Sequence, residues 1–256
     1  MRVLATYNIK GGVGKTATAV NLAYLAARSG TRTLIWDLDP QGAASFYFRI
    51  KPRIKGGARK LVRGDLNLDA RIKATDFPGL DLLPADFSYR HLDLELERTK
   101  RPGRQISRIL KPLAKHYGLL LIDCAPSISL VSEGVFRAAD VLMVPTIPTP
   151  LSLRTLLQLL KSLNRVESKR LGMFPFFCMV DRRRSLHRGT ADMAQESPIP
   201  FLETEVPYSS LVEQMGAQRA PLHTYARSSK PAKAYEALWQ ETRNWLRDGR
   251  GYFTRG

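Results

Sequence analysis

A glycine-rich segment near the start of the 256-residue chain carries the residue types that bind phosphate. Its glycines let backbone N–H groups converge on phosphate oxygens, and a helix that follows would direct its positive end at them. A lysine and a hydroxyl at the end of such a loop reach the terminal phosphates and Mg²⁺. The residues expected to bind the phosphates of a nucleotide here are Gly11, Gly12, Val13, Gly14, Lys15, Thr16 and Ala17, with Thr16 as a ligand of Mg²⁺.

The spacing in this segment departs from the usual P-loop pattern, Gly-x-x-x-x-Gly-Lys-Ser/Thr. Ile9 stands where that pattern has its first glycine, and a second lysine, Lys10, follows it. A second cation near the γ-phosphate would stabilise the charge of the transition state, as an arginine finger does in other nucleotidases. Lys10 and Lys15 are therefore candidate catalytic residues.

Carboxylates follow two apolar runs further along the chain. Asp37 and Asp39 come after the run 31–36, and Asp123 ends the run 119–122. Loops at the carboxyl ends of parallel strands face the ligand crevice, so we expect these aspartates near the phosphates. Asp123 is the expected holder of Mg²⁺, either directly or through water.

Strands and helices must alternate to position these residues. Strands are expected at 2–9, 31–36, 80–83, 118–122 and 141–144, with further apolar runs at 173–180 and 201–204. Helices are expected at 15–29, 105–116, 151–166 and 232–246. The basic, glycine-punctuated stretch 49–75 is expected to be a surface excursion, mobile in part.

This alternation predicts an α/β fold with a doubly wound, mainly parallel sheet and helices on both faces. With 44% hydrophobic residues, the chain can bury one sizeable core, and we expect residues 1–256 to form a single domain. Cys124 and Cys178 have neither metal-ligand nor disulfide spacing and are expected to be buried thiols. No apolar run reaches a membrane-spanning length and no signal peptide is evident, so a cytoplasmic location is expected.

The run from Lys10 to Thr16 is the deviant Walker A motif, and on it the chain resembles the ParA/MinD family of P-loop ATPases. The resemblance is closest to ParA-type partition ATPases and extends to the residues around Asp123. It implies a P-loop NTPase fold, ATP and Mg²⁺ as cofactors, and a homodimer that sandwiches two ATP molecules. It also implies that Lys10 acts on the partner's ATP, Lys15 acts on its own, and Asp39 positions the attacking water beside the metal.

More loosely, the resemblance reaches the C-terminal part of the chain. It places adenine contacts at Met179, Asp181 and Pro207, and it makes 232–246 the closing helix of the fold.

The net charge of +17 favours a polyanionic partner. ParA-type members bind DNA non-specifically as ATP-bound dimers and respond to a ParB-like adaptor that stimulates hydrolysis, so the resemblance implies association with the nucleoid. Leu211 stands where chromosomal ParA proteins have a DNA-binding arginine. The DNA contacts are therefore expected elsewhere, at Arg182, Arg183, Arg184, Arg188 and Arg219.

Three other functions are compatible with a phosphate loop of this kind. A MinD-like ATPase that cycles on a membrane would need a C-terminal amphipathic helix, whereas the apolar side chains of 232–246 are expected to pack on the core. An iron–sulfur reductase of the nitrogenase iron-protein type would need paired cysteines at a dimer axis, which Cys124 and Cys178 do not suit. A nucleotide-gated scaffold with little turnover is disfavoured by the intact Lys15, Asp39 and Asp123.

Overall fold

The computed structural model describes residues 1–164, 166, 171–194 and 197–248, apart from the side chains at 188, 191–193 and 248. Within these residues, eight strands form one sheet: β1 (Arg2–Thr6), β2 (Thr33–Asp37), β3 (Lys73–Ala74), β4 (Leu80–Leu83), β5 (Leu119–Asp123), β6 (Val141–Thr146), β7 (Gly172–Val180) and β8 (Val206–Pro207). The strand order is β3-β4-β2-β5-β1-β6-β7-β8. Every pairing is parallel except that of the short β3 with β4, which confirms the predicted mainly parallel sheet.

Helices cover both faces of this sheet. They are α1 (Lys15–Arg28), α2 (Ala43–Tyr47), α3 (Gly57–Arg63), α4 (Leu92–Glu97), α5 (Pro102–Leu110), α6 (Leu130–Ala138), α7 (Pro150–Leu163), α8 (Ser185–Ala194), α9 (Ser210–Glu213), α10 (Met215–Gln218) and α11 (Lys230–Asp248). Short 3₁₀ turns lie at Phe87–His91, Lys111–Lys115 and Leu222–Thr224.

The strands bury both of their faces, which is why they are almost continuously apolar. Along β5, Leu119 and Leu121 pack with α1 and α11, whereas Leu120 and Ile122 pack with the helices of the opposite face. The side chains of neighbouring residues thus enter two separate apolar layers, as the pleat of a strand requires. The helices on both faces are therefore confirmed.

Several element boundaries differ from the sequence prediction. The first strand stops at Thr6 because the chain then turns into the glycine-rich loop, and the run 201–204 is not a strand, since the last strand is β8. The helix predicted over 105–116 is α5 followed by a 3₁₀ turn, and Pro112 cannot donate the backbone hydrogen bond that would continue an α-helix.

The stretch 49–75 is more ordered than the expected surface excursion. It contains α3 and β3, and the side chains of Ile54, Ala58, Leu61 and Val62 are buried in the core. Its apolar residues are spaced so that one side of α3 faces inward, a pattern that the abundance of lysine and arginine obscured.

The C-terminal helix α11 closes the fold as predicted. Leu238, Trp239 and Thr242 are buried, and the Trp245 ring meets Phe174 of β7 edge to face at 4.2 Å. Among the described residues, no helix is both long and apolar enough to cross a membrane.

Candidate functional site

The glycine-rich loop joins β1 to α1 at the carboxyl edge of the sheet, between the two central neighbours of β1. Gly12 and Gly14 adopt positive φ angles of 70° and 89°. A residue with a side chain would be strained in this backbone conformation. Gly14 forms the N-cap of α1 and accepts hydrogen bonds at its carbonyl from the backbone N–H and the hydroxyl of Thr18. The loop therefore has the conformation that presents backbone N–H groups to an anion.

Lys15 spans the inside of this loop. Its Nζ donates a hydrogen bond of 3.0 Å to the carbonyl oxygen of Lys10, and its side chain is largely buried. Burial lowers the pKa of Lys15, and the nearby carboxylate of Asp123 opposes that shift. Lys10 is fixed through its backbone, whose N–H donates to Asn8 Oδ1 at 2.9 Å.

Two carboxylates lie side by side behind the loop. Asp37 ends β2 and Asp123 ends β5, and the two are register partners in the parallel pair. Asp37 Oδ2 accepts hydrogen bonds of 2.7 Å from both the N–H and the hydroxyl of Ser45, and Asp123 Oδ1 accepts one from Thr6 Oγ1 at 3.3 Å. In the described part of the chain, Asp37 Oδ1 and Asp123 Oδ2 have no hydrogen-bond partner.

Burial and mutual repulsion act on both of these groups. Burial raises the pKa of Asp123, and the charge of Asp37 raises it further, while the neighbouring Thr16 side chain lowers it. Burial likewise raises the pKa of Asp37, which the two hydrogen bonds from Ser45 partly offset. A divalent cation beside them would remove this cost, because an opposite charge stabilises the ionised carboxylate.

These residues fit Mg²⁺. Oxygen ligands are what Mg²⁺ prefers, and it usually keeps several waters and takes only one or two protein carboxylates beside the substrate phosphates. Asp123 has a free buried oxygen next to Thr16, the predicted hydroxyl ligand. No cluster of three or more His, Cys, Asp or Glu side chains suited to a metal occurs among the residues described.

Asp39 lies two residues beyond β2 and is half-buried. Its Oδ1 accepts a hydrogen bond of 2.9 Å from the N–H of Gln41, which folds the loop towards α2. The charge of Asp39 raises the pKa of both Asp37 and Asp123, so the three carboxylates share one electrostatic environment. The assignment of Asp39 as the residue that positions water, and as a metal ligand, stays a prediction.

Two of the three residues predicted to contact adenine line one cavity. Asp181 and Pro207 line a cavity of about 560 Å³ at the end of β7, together with Tyr208 and Lys230. Met179 is close to the phosphate loop, since its Cε would lie 3.9 Å from a Cβ at Gly14. These adenine contacts stay predictions.

The arginines predicted to bind DNA occupy two places. Arg182 pairs with Glu205 at 3.0 Å, and Arg183 and Arg184 both pair with Asp181 at 2.9 and 3.8 Å. The hydrogen bonds from Arg183 and the charges of Arg183 and Arg184 hold the pKa of Asp181 at about 2, below its usual range. The Arg188 side chain lies outside the described residues.

Arg219, the fifth predicted arginine, lies apart from these. It is placed against α2, with its guanidinium 4.6 Å from the centre of the Phe46 ring.

Both cysteines are buried and free, as predicted. Burial raises the pKa of each thiol. Cys178 of β7 donates a hydrogen bond of 2.8 Å to the carbonyl oxygen of Val13 in the phosphate loop. Sequence reasoning missed this contact, and it also left Asp37 without a role, although Asp37 and Asp123 each end an apolar strand.

This chain is similar in sequence to known proteins. Residues 1–173 match the model of a family described as an AAA domain, AAA_31. The chromosome partitioning protein ParA of Caulobacter vibrioides strain NA1000 is 32% identical, over 97% of this chain and 96% of that protein.

Solved structures with bound nucleotide share the fold of this chain. Cobyrinic acid a,c-diamide synthase of Mycobacterium smegmatis, with bound ATP analog and magnesium, superposes with a TM-score of 0.83 at 25% identity, covering 100% of both chains. The septum site-determining protein MinD of Pyrococcus horikoshii, complexed with Mg-ADP, gives 0.77 at 20% identity over 96% of this chain and 97% of that one.

Proposed function

Because the chain belongs to the ParA/MinD family of P-loop ATPases, we propose that it is a ParA-type ATPase that positions a cargo on DNA. It uses ATP with Mg²⁺ as its cofactors. In the proposed cycle ATP joins two copies of the chain, the dimer binds DNA non-specifically, and hydrolysis stimulated by an adaptor protein releases it. The cargo would be a plasmid, a chromosome or a protein assembly.

The observation that carries this proposal is the pair of lysines in one phosphate loop. Lys15 Nζ lies inside the loop on the carbonyl of Lys10, where it can reach the phosphates bound by its own chain. The Lys10 side chain is not needed for that contact and would be available to a nucleotide held by a second copy. A loop with two lysines at this spacing is the feature that the family uses for an ATP-sandwich dimer.

Exposed apolar side chains support a dimer through the nucleotide edge. Ile128, Leu151 and Leu186 are each at least half exposed, and they follow β5, β6 and β7 respectively. All three strands end at the edge of the sheet that carries the phosphate loop. Large apolar side chains exposed in one region favour a protein interface.

The site supports hydrolysis by positioning and charge. Lys15 would hold the β- and γ-phosphates, and Asp39 would orient a water for in-line attack, since phosphoryl transfer needs little covalent chemistry from the protein. Thr16 and Asp123 would hold Mg²⁺, which when bound neutralises charge on the phosphate oxygens. Lys10 of a second copy would add a cation at the γ-phosphate.

DNA is the proposed polyanion. The net charge of +17 favours phosphate contacts without base readout, and a partition ATPase acts where DNA is abundant. The MinD-like alternative is disfavoured because the apolar face of α11 packs on the sheet, with Leu238 and Thr242 fully buried. This supports a nucleoid location over a membrane cycle.

Binding of mixed-sequence DNA at low salt tests the proposal. We expect a fluorescently labelled duplex to bind in the presence of Mg²⁺ and a non-hydrolysable ATP analogue but not with ADP. Gel filtration under the same conditions should show a dimer. If DNA binding is absent with the analogue, or is the same with ADP, the proposed cycle is wrong.

A further inference from the structure

A stretch of positive charge follows the Asp39 loop directly. We define the basic segment as residues 49–63, which contain no acidic residue. It begins two residues after α2 and ends with α3. Its cations are Arg49, Lys51, Arg53, Lys55, Arg59, Lys60 and Arg63.

The basic segment is fixed to the body of the protein. The N–H of Ile54 donates to Asp86 Oδ2 at 2.7 Å, and the N–H of Ala58 donates to Ser88 Oγ at 2.8 Å. The apolar side chains of the segment at 54, 58, 61 and 62 are buried. Cations held on an ordered backbone lose less conformational entropy when they bind a ligand than cations on a loose loop.

Most of these cations have no acidic partner. Within the described part of the chain, only Arg49 of the segment pairs with a carboxylate, that of Asp76 at 3.0 Å. By contrast, Arg182, Arg183 and Arg184 each pair with a carboxylate, that of Glu205 or Asp181. A cation without a carboxylate partner can contact a phosphate without first breaking an ion pair.

Arg219 extends the basic segment from the other side of a cavity. Arg49, Lys51 and Arg219 line a cavity of about 540 Å³ with Gln41 and Gly42. The three cations share a concave surface that lies next to the Asp39 loop, and opposite walls of like charge concentrate an anion between them.

Two reciprocal hydrogen bonds hold this cavity together. Arg219 Nε donates to the carbonyl of Phe46 at 3.1 Å, and Arg49 Nη2 donates to the carbonyl of Gln218 at 3.2 Å. Both arginines have positive φ angles, 48° and 60°, an uncommon conformation for a residue with a side chain. Strained residues of this kind cluster at binding sites and switch regions.

The nucleotide site and the basic segment are in physical contact. Gly42 ends the Asp39 loop, and a Cβ at this position would lie only 2.8 Å from Pro52 Cβ in the segment. The helix that starts there, α2, is tied to Asp37 through Ser45. The basic segment therefore lies directly beside the loop that carries Asp39.

We propose that the basic segment and Arg219 together form the surface that contacts the phosphates of DNA, in place of Arg182, Arg183 and Arg184. This inference rests on the proposed function, namely that the ATPase binds DNA. A membrane is a poorer partner for the segment because its apolar side chains at 54, 58, 61 and 62 are buried and cannot insert into a bilayer.

Two variants that each replace three cations by neutral glutamine test this surface. The segment variant is Lys51→Gln/Lys55→Gln/Arg59→Gln, all exposed positions. The matched control is Lys100→Gln/Arg104→Gln/Lys111→Gln, which removes three exposed cations around α5, leading towards the amino end of β5. Labelled mixed-sequence duplex would be titrated at several salt concentrations with Mg²⁺ and a non-hydrolysable ATP analogue.

The segment variant should lose at least about tenfold in DNA affinity. The plot of log association constant against log salt concentration should become less steep, its slope decreasing in magnitude by about two to three. The control variant should keep the slope of the wild type, and both variants should keep its thermal unfolding and basal ATP hydrolysis. Equal losses in the two variants would mean that net charge alone matters, which would overturn the inference.

Two further measurements distinguish this surface from the Arg182–Arg184 cluster and DNA from a membrane. Loss of DNA binding in Arg182→Gln/Arg183→Gln/Arg184→Gln, with the segment variant unaffected, would also overturn it. So would a segment variant that binds DNA normally but no longer binds phosphatidylglycerol vesicles. A wild-type protein that binds no DNA with the analogue would instead refute the proposed function itself.

Discussion

Asp37 and Asp123 stand opposite each other at the ends of two neighbouring parallel strands, and each keeps one carboxylate oxygen without a partner in the described structure. Two buried acids at one register position repel each other and are poorly solvated. In the protein without nucleotide this pair destabilises the fold. A bound cation would be attracted by both carboxylates, so the same pair would then favour binding of the cation.

This pair makes the stability of the nucleotide-free protein depend on pH. Burial raises the pKa of both aspartates in the folded state, so the folded protein binds more protons than the unfolded chain above about pH 4. The contribution of the pair to the free energy of unfolding must then fall as pH rises from about 4 through the raised values. Thermal unfolding between pH 5 and pH 8 would measure this. Asp123→Asn should be more stable than wild type at pH 8 and should show a flatter profile; parallel profiles would contradict the assignment.

Lys15→Ala should weaken ATP binding strongly. The substitution removes the buried ammonium that faces the phosphates, and a charge-assisted hydrogen bond contributes about 1.5–3 kcal/mol, or roughly 10- to 100-fold in affinity. Calorimetric titration with ATP and Mg²⁺ would show the loss directly. Unchanged affinity would refute the role of Lys15.

Lys10→Ala is expected to separate binding from assembly. The loop contacts of Lys10 are made by its backbone N–H and carbonyl, so the variant should keep the wild-type affinity of one chain for ATP. It should lose ATP-dependent dimerisation and about a thousandfold or more in hydrolysis, by analogy with removal of an arginine finger. Gel filtration and phosphate release are the measurements. A dimer with normal hydrolysis would show that Lys10 does not act on a second copy.

Asp39→Ala should trap an ATP-bound dimer. Removing the carboxylate that orients the water should slow hydrolysis about a hundredfold or more, while the phosphate loop stays intact. Gel filtration with ATP and Mg²⁺ should give a stable dimer where the wild type returns to monomer. A monomeric variant under those conditions would count against this role.

Cys178 offers a test of how the phosphate loop is supported. Cys178→Ala removes the thiol that donates to the Val13 carbonyl, which should cost about 1 kcal/mol, or roughly fivefold in ATP affinity. Cys178→Ser keeps a donor and should stay close to wild type. If calorimetry finds the two variants alike, the hydrogen bond does not stabilise the loop.

Much of the site could be predicted from the chain, because its chemistry follows from local spacing. The loop from Lys10 to Thr16 and the aspartates at strand ends are short-range patterns with a direct physical meaning. The adjacency of Asp37 and Asp123 was out of reach, because it depends on β2 and β5 being neighbours in space although some eighty residues separate them. Ion pairing was hidden for the same reason, so Arg182 to Arg184 could not be distinguished from cations without acidic partners.

The two ends of the sheet have a consequence for how copies of the chain can meet. The outermost strands, Lys73–Ala74 and Val206–Pro207, have only two residues each. So short an edge offers almost no unpaired backbone on which a strand from a neighbouring molecule could add. Growth of the sheet by strand addition at these two short strands is thereby disfavoured. Contacts between two copies would then rest on side chains and bound ligands, which can be released when the ligand changes.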